Sequence, residues 1–135
     1  MWRVVALGLL SIGVAVDGLA QTPSSPQLAN PASVNCIKQG GTLKMEKRPD
    51  GGQYGVCLFV DNYQCEEWAL LRGECPKGGL RITGYATAAG RFCAITGGRY
   101  AVSSPPTAAV EKGVCSLPGG KACDADAYYK GACTR

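Results

Sequence analysis

Eight cysteines constrain this chain more than any other feature: Cys36, Cys57, Cys65, Cys75, Cys93, Cys115, Cys123 and Cys133. The gaps within the first four are 21, 8 and 10 residues, and within the second four 22, 8 and 10. Their flanks agree as well. Gly40-Gly41 recurs as Gly97-Gly98, Gly55-Val56-Cys57 as Gly113-Val114-Cys115, and Arg72-Gly73 as Lys130-Gly131. Such register identifies a tandem duplication with one inserted residue. The expected architecture is α+β, two tandem small disulfide-rich modules, each a helix, a β-hairpin and a helix. The chain divides into a signal peptide at 1–20, a linker at 21–29, the first repeat at 30–75, a linker at 76–86 and the second repeat at 87–133.

The opening residues bear on the compartment. Met1 to Ala20 carry one cation, Arg3, then an apolar stretch from Val4 to Val16, then Gly18-Leu19-Ala20, the pattern of a secretory signal cleaved near Ala20. Asp17 ends the apolar run short of the roughly 18 residues a membrane span needs. No cysteine follows the cut to carry a lipid. The expected location is therefore periplasmic or secreted, with no transmembrane span in the mature chain. In such an oxidising place an even cysteine count implies four disulfides, because a small domain gains little from core burial alone.

Histidine is absent. That removes Ser-His and Cys-His catalysis, the common zinc sites and the usual pH switch. No catalytic set, cofactor site or metal site is expected, and the chain reads as non-enzymatic. The net charge of +4 is mild, and no nucleic-acid reading module is recognisable, so nucleic acid is not an expected partner.

Local signals place the elements. Asn30-Pro31 supplies an N-cap and a favoured first helical residue, and Gly40-Gly41 stops that helix. Thr87 is the matching cap in the second repeat. Thr42 to Lys47 alternates Leu43 and Met45 against Lys44 and Glu46, and Pro49-Asp50-Gly51-Gly52 turns the chain into a strand over Gln53 to Val60. Asp61-Asn62 is a second turn, replaced by Pro118-Gly119-Gly120 in the other copy. Cys65 to Arg72 reads as a two-turn helix closed by Gly73.

That helix bears on the bridges. If each repeat pairs its own cysteines, three connectivities exist. Ten helical residues would hold Cys65 and Cys75 roughly 15 Å apart, beyond the limit of about 7 Å for a disulfide. With that pair excluded, the favoured pairing is Cys57 with Cys65 across the tight turn and Cys36 with Cys75. Its counterparts are Cys115 with Cys123 and Cys93 with Cys133.

The residues also resemble a family. Asn30-Pro31-Ala32-Ser33, Gln39-Gly40-Gly41, Asp50-Gly51-Gly52-Gln53-Tyr54-Gly55, Cys65-Glu66-Glu67-Trp68-Ala69 and Arg72-Gly73-Glu74-Cys75 are similar to the motifs of the bacterial domain-of-unknown-function 333 group. Its members often carry a haemolysin label. Thr83 to Thr87, Cys93 to Gly98 and Tyr128-Tyr129 resemble a companion segment of longer members. The resemblance implies an envelope or secreted protein and brings no activity, cofactor or catalytic residue. The second repeat departs from the motif: Asp50-Gly51-Gly52 has no equivalent, and Trp68 becomes Asp126.

Four residues are candidates for binding: Asp50, Glu66, Glu67 and Trp68. Two carboxylates beside an indole suit a cation or a sugar, yet acids in a first helical turn also stabilise its dipole, and a tryptophan in a small domain is usually core. Asp50 sits at the tip of a cross-linked hairpin, the arrangement by which an inhibitor offers a preorganised loop. Tyr54, Tyr63, Tyr128 and Tyr129 suit either a binding surface or a core. Lys44, Lys47 and Arg48 fall on the first hairpin strand, and Lys77, Arg81 and Arg91 in the stretch joining the repeats. The functional expectation is an interaction module with an unknown protein or envelope component as partner. The alternatives are an inhibitor of an extracellular hydrolase and a membrane-active haemolysin-like protein.

Overall fold

Asn30 caps the first helix as its sequence predicts, its side chain accepting from the Ala32 amide at 2.9 Å. The computed structural model describes residues 29–135, together with Gly13 and Gly18. The expected signal peptide and most of the first linker lie outside the described residues. Helix α1 (Pro31–Lys38) is followed by antiparallel strands β1 (Thr42–Lys47) and β2 (Gln53–Leu58), then by a short turn whose Asp61 and Asn62 adopt positive φ. Strand β3 (Tyr63–Glu66), helix α2 (Glu67–Leu71) and strand β4 (Leu80–Arg81) complete a sheet of order β1-β2-β3-β4. The second repeat follows the same plan. Helix α3 (Ala88–Ile95), capped by Thr87, precedes strands β5 (Arg99–Val102), β6 (Gly113–Ser116) and β7 (Ala122–Asp124), which pair in that order, and helix α4 (Ala125–Tyr129) closes it.

The disulfides differ from the expected pairing. Cys36 bonds Cys57, Cys65 bonds Cys75, Cys93 bonds Cys115 and Cys123 bonds Cys133. The excluded pair therefore forms, and the favoured Cys57–Cys65 and Cys36–Cys75 pairs do not. The reason is local. Cys65 lies in β3, and the helix begins only at Glu67 and ends at Leu71. Gly73 then takes a left-handed conformation, φ 74°, and the amides of Glu74 and Cys75 both donate to the Ala69 carbonyl. This C-terminal turn folds the chain back on itself, bringing the Cys65 and Cys75 Cα atoms to 5.9 Å. Cys57 and Cys65 do face each other across β2 and β3, but Cys57 reaches to Cys36 on α1 and Cys65 to Cys75 in the turn that follows α2.

Peptide mapping checks this arrangement. No Lys or Arg lies between Cys57 and Cys65, so one tryptic peptide carries both. It is expected to stay linked, without reductant, to the Cys36 peptide and to Gly73–Lys77. A second cut at Asp61 should then separate Cys57, held to Cys36, from Cys65, held to Cys75. A free peptide containing Cys57 and Cys65 would reinstate the rejected pairing.

Each repeat has a small core. In the first it comprises Cys36, Cys57, Cys65, Ala69, Leu70 and Cys75, with Leu43, Phe59 and Leu80 packed around it. In the second, Phe92 is the centre, with the rings of Tyr128 and Tyr129 at 5.1 and 5.2 Å. Tyr54 of β2 joins this second core, its ring edge-on to Phe92 at 5.0 Å. The repeats are thus packed together, and α3 is the layer between them.

Arg91 of α3 fixes that contact. Its guanidinium donates to both carboxylate oxygens of Glu46 on β1, at 2.8 and 3.2 Å, and to Gln64 Oε1 on β3. The Tyr54 hydroxyl donates to Glu46 as well. Arg91 therefore belongs to a helix that locks the repeats, not to a connecting stretch. Arg135 adds a second tie, to Glu74 and to the Thr96 carbonyl. Burial pushes the Glu46 carboxyl up, but hydrogen bonds from Arg91 and Tyr54 and the charges of Arg91 and Lys44 outweigh it and hold Glu46 below its ordinary value. The Arg135 hydrogen bond holds Glu74 below its ordinary value in the same way.

A depressed carboxylate stabilises the fold above its unfolded value and ceases to do so as pH falls through its folded value. The contact should therefore weaken in acid, below the usual carboxylate range. Thermal melts from neutral pH downward check it. Arg91→Met is expected to be less stable than the parent at neutral pH and to converge with it in acid.

Candidate functional site

Glu66 and Glu67 adjoin in sequence and part in structure. Glu66 is the N-cap of α2, its two oxygens accepting from the Trp68 and Ala69 amides at 3.0 and 2.8 Å. Burial raises its carboxyl above the ordinary value against those two bonds. Glu67 is buried beneath α1, accepting from Asn30 Nδ2 at 3.1 Å and from Ser33 Oγ at 2.6 Å. A Cβ at Gly55 would lie 2.6 Å from the Glu67 carboxyl carbon. The Asn-Pro-x-Ser opening, Gly55 and Glu67, scattered in sequence, thus form one polar clasp tying α1, β2 and α2.

The second repeat solves the same problem with an aromatic ring. Position 67 becomes Ala125, Ser33 becomes Gly90, Gly55 becomes Gly113 and Leu43 becomes Tyr100. Gly113 and Gly90 both abut the Tyr100 ring, where a side chain on either would collide. The Tyr100 hydroxyl donates to Glu111 at 2.7 Å. The space that holds a carboxylate in one copy therefore holds a phenol ring in the other.

The remaining candidates separate from this clasp. Asp50 accepts from Arg48 through both oxygens and from the Gly52 amide, and its carboxylate abuts Gly131 of the second repeat. The hairpin tip leans on the neighbouring repeat. Trp68, expected in the core, is 40% exposed. The α2 core positions are taken by Ala69 and Leu70, and Trp68 emerges with Leu71 on the outer side, three residues along the helix. Tyr54, Tyr128 and Tyr129 are core-facing, whereas Tyr63 is exposed.

Trp68 and Leu71 continue into an apolar face that residue types alone did not single out. A shallow groove lined by Ala29, Pro31, Val34, Asn35, Lys38 and Leu71 runs between α1 and α2. Ile37 beside it is 60% exposed. At its floor Asn35 Nδ2 is buried with no hydrogen-bond partner, an arrangement that costs free energy unless something outside the chain meets it. The available signal was the helical spacing of Pro31, Val34 and Ile37, an apolar stripe on the side of α1 away from Cys36 that ends at Lys38.

Among the described residues no cluster of three His, Cys, Asp or Glu side chains is placed to hold a metal ion. Nor is any helix among them long and apolar enough to cross a membrane.

The model of the family described as "Domain of unknown function (DUF333)" matches this chain twice, over residues 27–74 and 84–132. The chain belongs to the DUF333 family. The two matched segments correspond to the two structural repeats. Curated relatives include the uncharacterised protein YoaF of Escherichia coli strain K12 and that of Shigella flexneri. Each is 35% identical over 72 residues, which is 52% of this chain and 84% of the relative. No solved structure matches the chain.

Proposed function

We propose that this DUF333 protein is an exported, non-enzymatic binding module of the cell envelope, cleaved near Ala20 and held by its disulfides in a shape that presents the α1–α2 face. The observation that carries the reading is that face: Val34, Ile37, Trp68 and Leu71 are all exposed on one helical pair. Four disulfides in a small chain suit an oxidising compartment. Glu66, Glu67, Asp50 and Glu74 are committed to the helix cap, the clasp, the hairpin and the tie to Arg135, so none of these carboxylates is paired for chemistry. The inhibitor reading draws less support, because the Asp50 carboxylate is bonded to Arg48 and the Gly52 amide and lies against Gly131. The membrane-active reading draws less support as well, because the helices among the described residues are at most eight residues long.

The test is a capture experiment with the oxidised protein immobilised and exposed to solubilised envelope. A component retained by the parent, and lost with both Trp68→Ser and reduced, alkylated protein, is expected. Retention that survives Trp68→Ser would remove the α1–α2 face from the reading, and no retention at all would end it.

A further inference from the structure

We infer that the α1 face takes a second copy of this chain, through the open face of the β5-β6-β7 sheet, in a head-to-tail contact that repeats the one joining the two units inside the molecule. The inference goes beyond the reading above: it concerns the α1 flank of Val34, Ile37 and Lys38 and stands without an envelope partner.

The internal contact supplies the pattern. Helix α3 has two flanks. Ala89, Phe92 and Cys93 face its own core, while Arg91, Ala94 and Ile95 turn the other way, as helical spacing requires. Ala94 and Ile95 are buried yet belong to neither repeat's own core, and Arg91 on the same flank reaches Glu46 and Gln64. Strand register puts Glu46, Tyr54, Val56 and Gln64 on one face of the first sheet. Val56 is 0% exposed there and also joins neither core. The flank of one unit's first helix covers the outer face of the preceding unit's sheet.

Each half of that contact has an unused counterpart. In α1 the residues corresponding to Arg91, Ala94 and Ile95 are Val34, Ile37 and Lys38, with Val34 37% and Ile37 60% exposed. In the second sheet the corresponding face carries Arg99, Ala101, Val114, Ser116, Ala122 and Asp124, all exposed. Val114, the counterpart of the fully buried Val56, is 37% exposed. Among the described residues, one end therefore shows a helix flank without a sheet, and the other a sheet face without a helix. The flank carries one charge, Lys38, and the sheet face carries Asp124 together with Arg99. A second copy supplies both halves in the relation already used within the chain, and because the two surfaces differ, the contact is heterologous and extends to a chain or ring rather than stopping at a symmetric pair.

Sedimentation of the oxidised protein over a concentration series tests this. Its mass is expected to rise about twofold or more above that of a single chain. Ile37→Glu and Val114→Glu each break one half and are each expected to remain monomeric. Both positions are exposed, so circular dichroism should match the parent. Mixed in equal amounts, the two variants should form a one-to-one dimer, since the first retains an intact sheet face and the second an intact helix flank. A parent that stays monomeric, a Val114→Glu variant that assembles like the parent, or a mixture that stays monomeric would each overturn the inference. A monomeric parent that captures an envelope component through Trp68 would overturn this inference alone. A self-assembling parent that captures nothing would support it while ending the envelope reading.

Discussion

Replacing Cys36 and Cys57 with serine is expected to lower the unfolding free energy by about 3 to 5 kcal/mol. Two effects add. The bridge joins residues 21 apart, and on the chain-entropy model closing such a loop is worth about 3 kcal/mol. It also fills the core: four of the six buried residues of the first cluster are half-cystines, so the change puts two hydroxyls where sulfur packed, with burial of polar groups as a further cost. Stability in chains of this size is only about 5 to 15 kcal/mol. Thermal melting followed by circular dichroism should fall by about 15 °C or more, at roughly 4 to 8 °C per kcal/mol for a chain of this class. Full reduction, which removes four bridges, should leave no cooperative transition. A melting point within a few degrees of the parent for the double serine variant would show that the sheets and clasps carry the fold without the sulfur core.

The duplication, the helix caps at Asn30 and Thr87 and the first hairpin were legible because each rests on local chemistry: spacing, an accepting side chain, a turn. The bridges were not, because the residues on either side of α2 look helical in sequence, whereas Cys65 is in a strand and the chain past Leu71 turns back. A third strand entering α2 and the left-handed Gly73 leaving it have weak signatures in so short a segment, and the predicted separation of the two cysteines rests on a continuous helix. Trp68 illustrates a different limit. Its exposure is decided by Ala69 and Leu70 filling a core too small for an indole, which residue type alone does not reveal. The lock between repeats had a signal in the comparison of the copies, where Arg91 replaces Val34 and Glu46 faces it from the first copy. Reading it requires knowing that one unit's helix lies on the other's sheet, and that is tertiary information. Glu66, expected in the first turn of a helix, instead stands before α2 as its cap through two amide hydrogen bonds, and Glu67 is held in the clasp to Asn30 and Ser33.

Glu67→Leu is expected to cost about 2 to 4 kcal/mol, because it leaves two donors, Asn30 Nδ2 and Ser33 Oγ, without their buried acceptor. Glu67→Gln keeps the shape and one acceptor oxygen, so its loss should be the smaller of the two. Stability alone would not separate loss of the clasp from loss of packing, but the second repeat offers a control. There the same space is occupied by Tyr100 between Gly90 and Gly113, with alanine at the position of Glu67. Importing that solution means Ser33→Gly, Leu43→Tyr and Glu67→Ala together. Gln53, the counterpart of Glu111, then offers a carbonyl to the new hydroxyl. If the two clasps are alternative fillings of one space, Leu43→Tyr is harmful alone, since its ring meets the Glu67 carboxylate, and beneficial once Glu67→Ala and Ser33→Gly are present. The cycle should show a favourable coupling of about 1 kcal/mol or more, as contacting residues do. Additive losses across the three changes would mean that the two repeats share a fold but not the space at their centre.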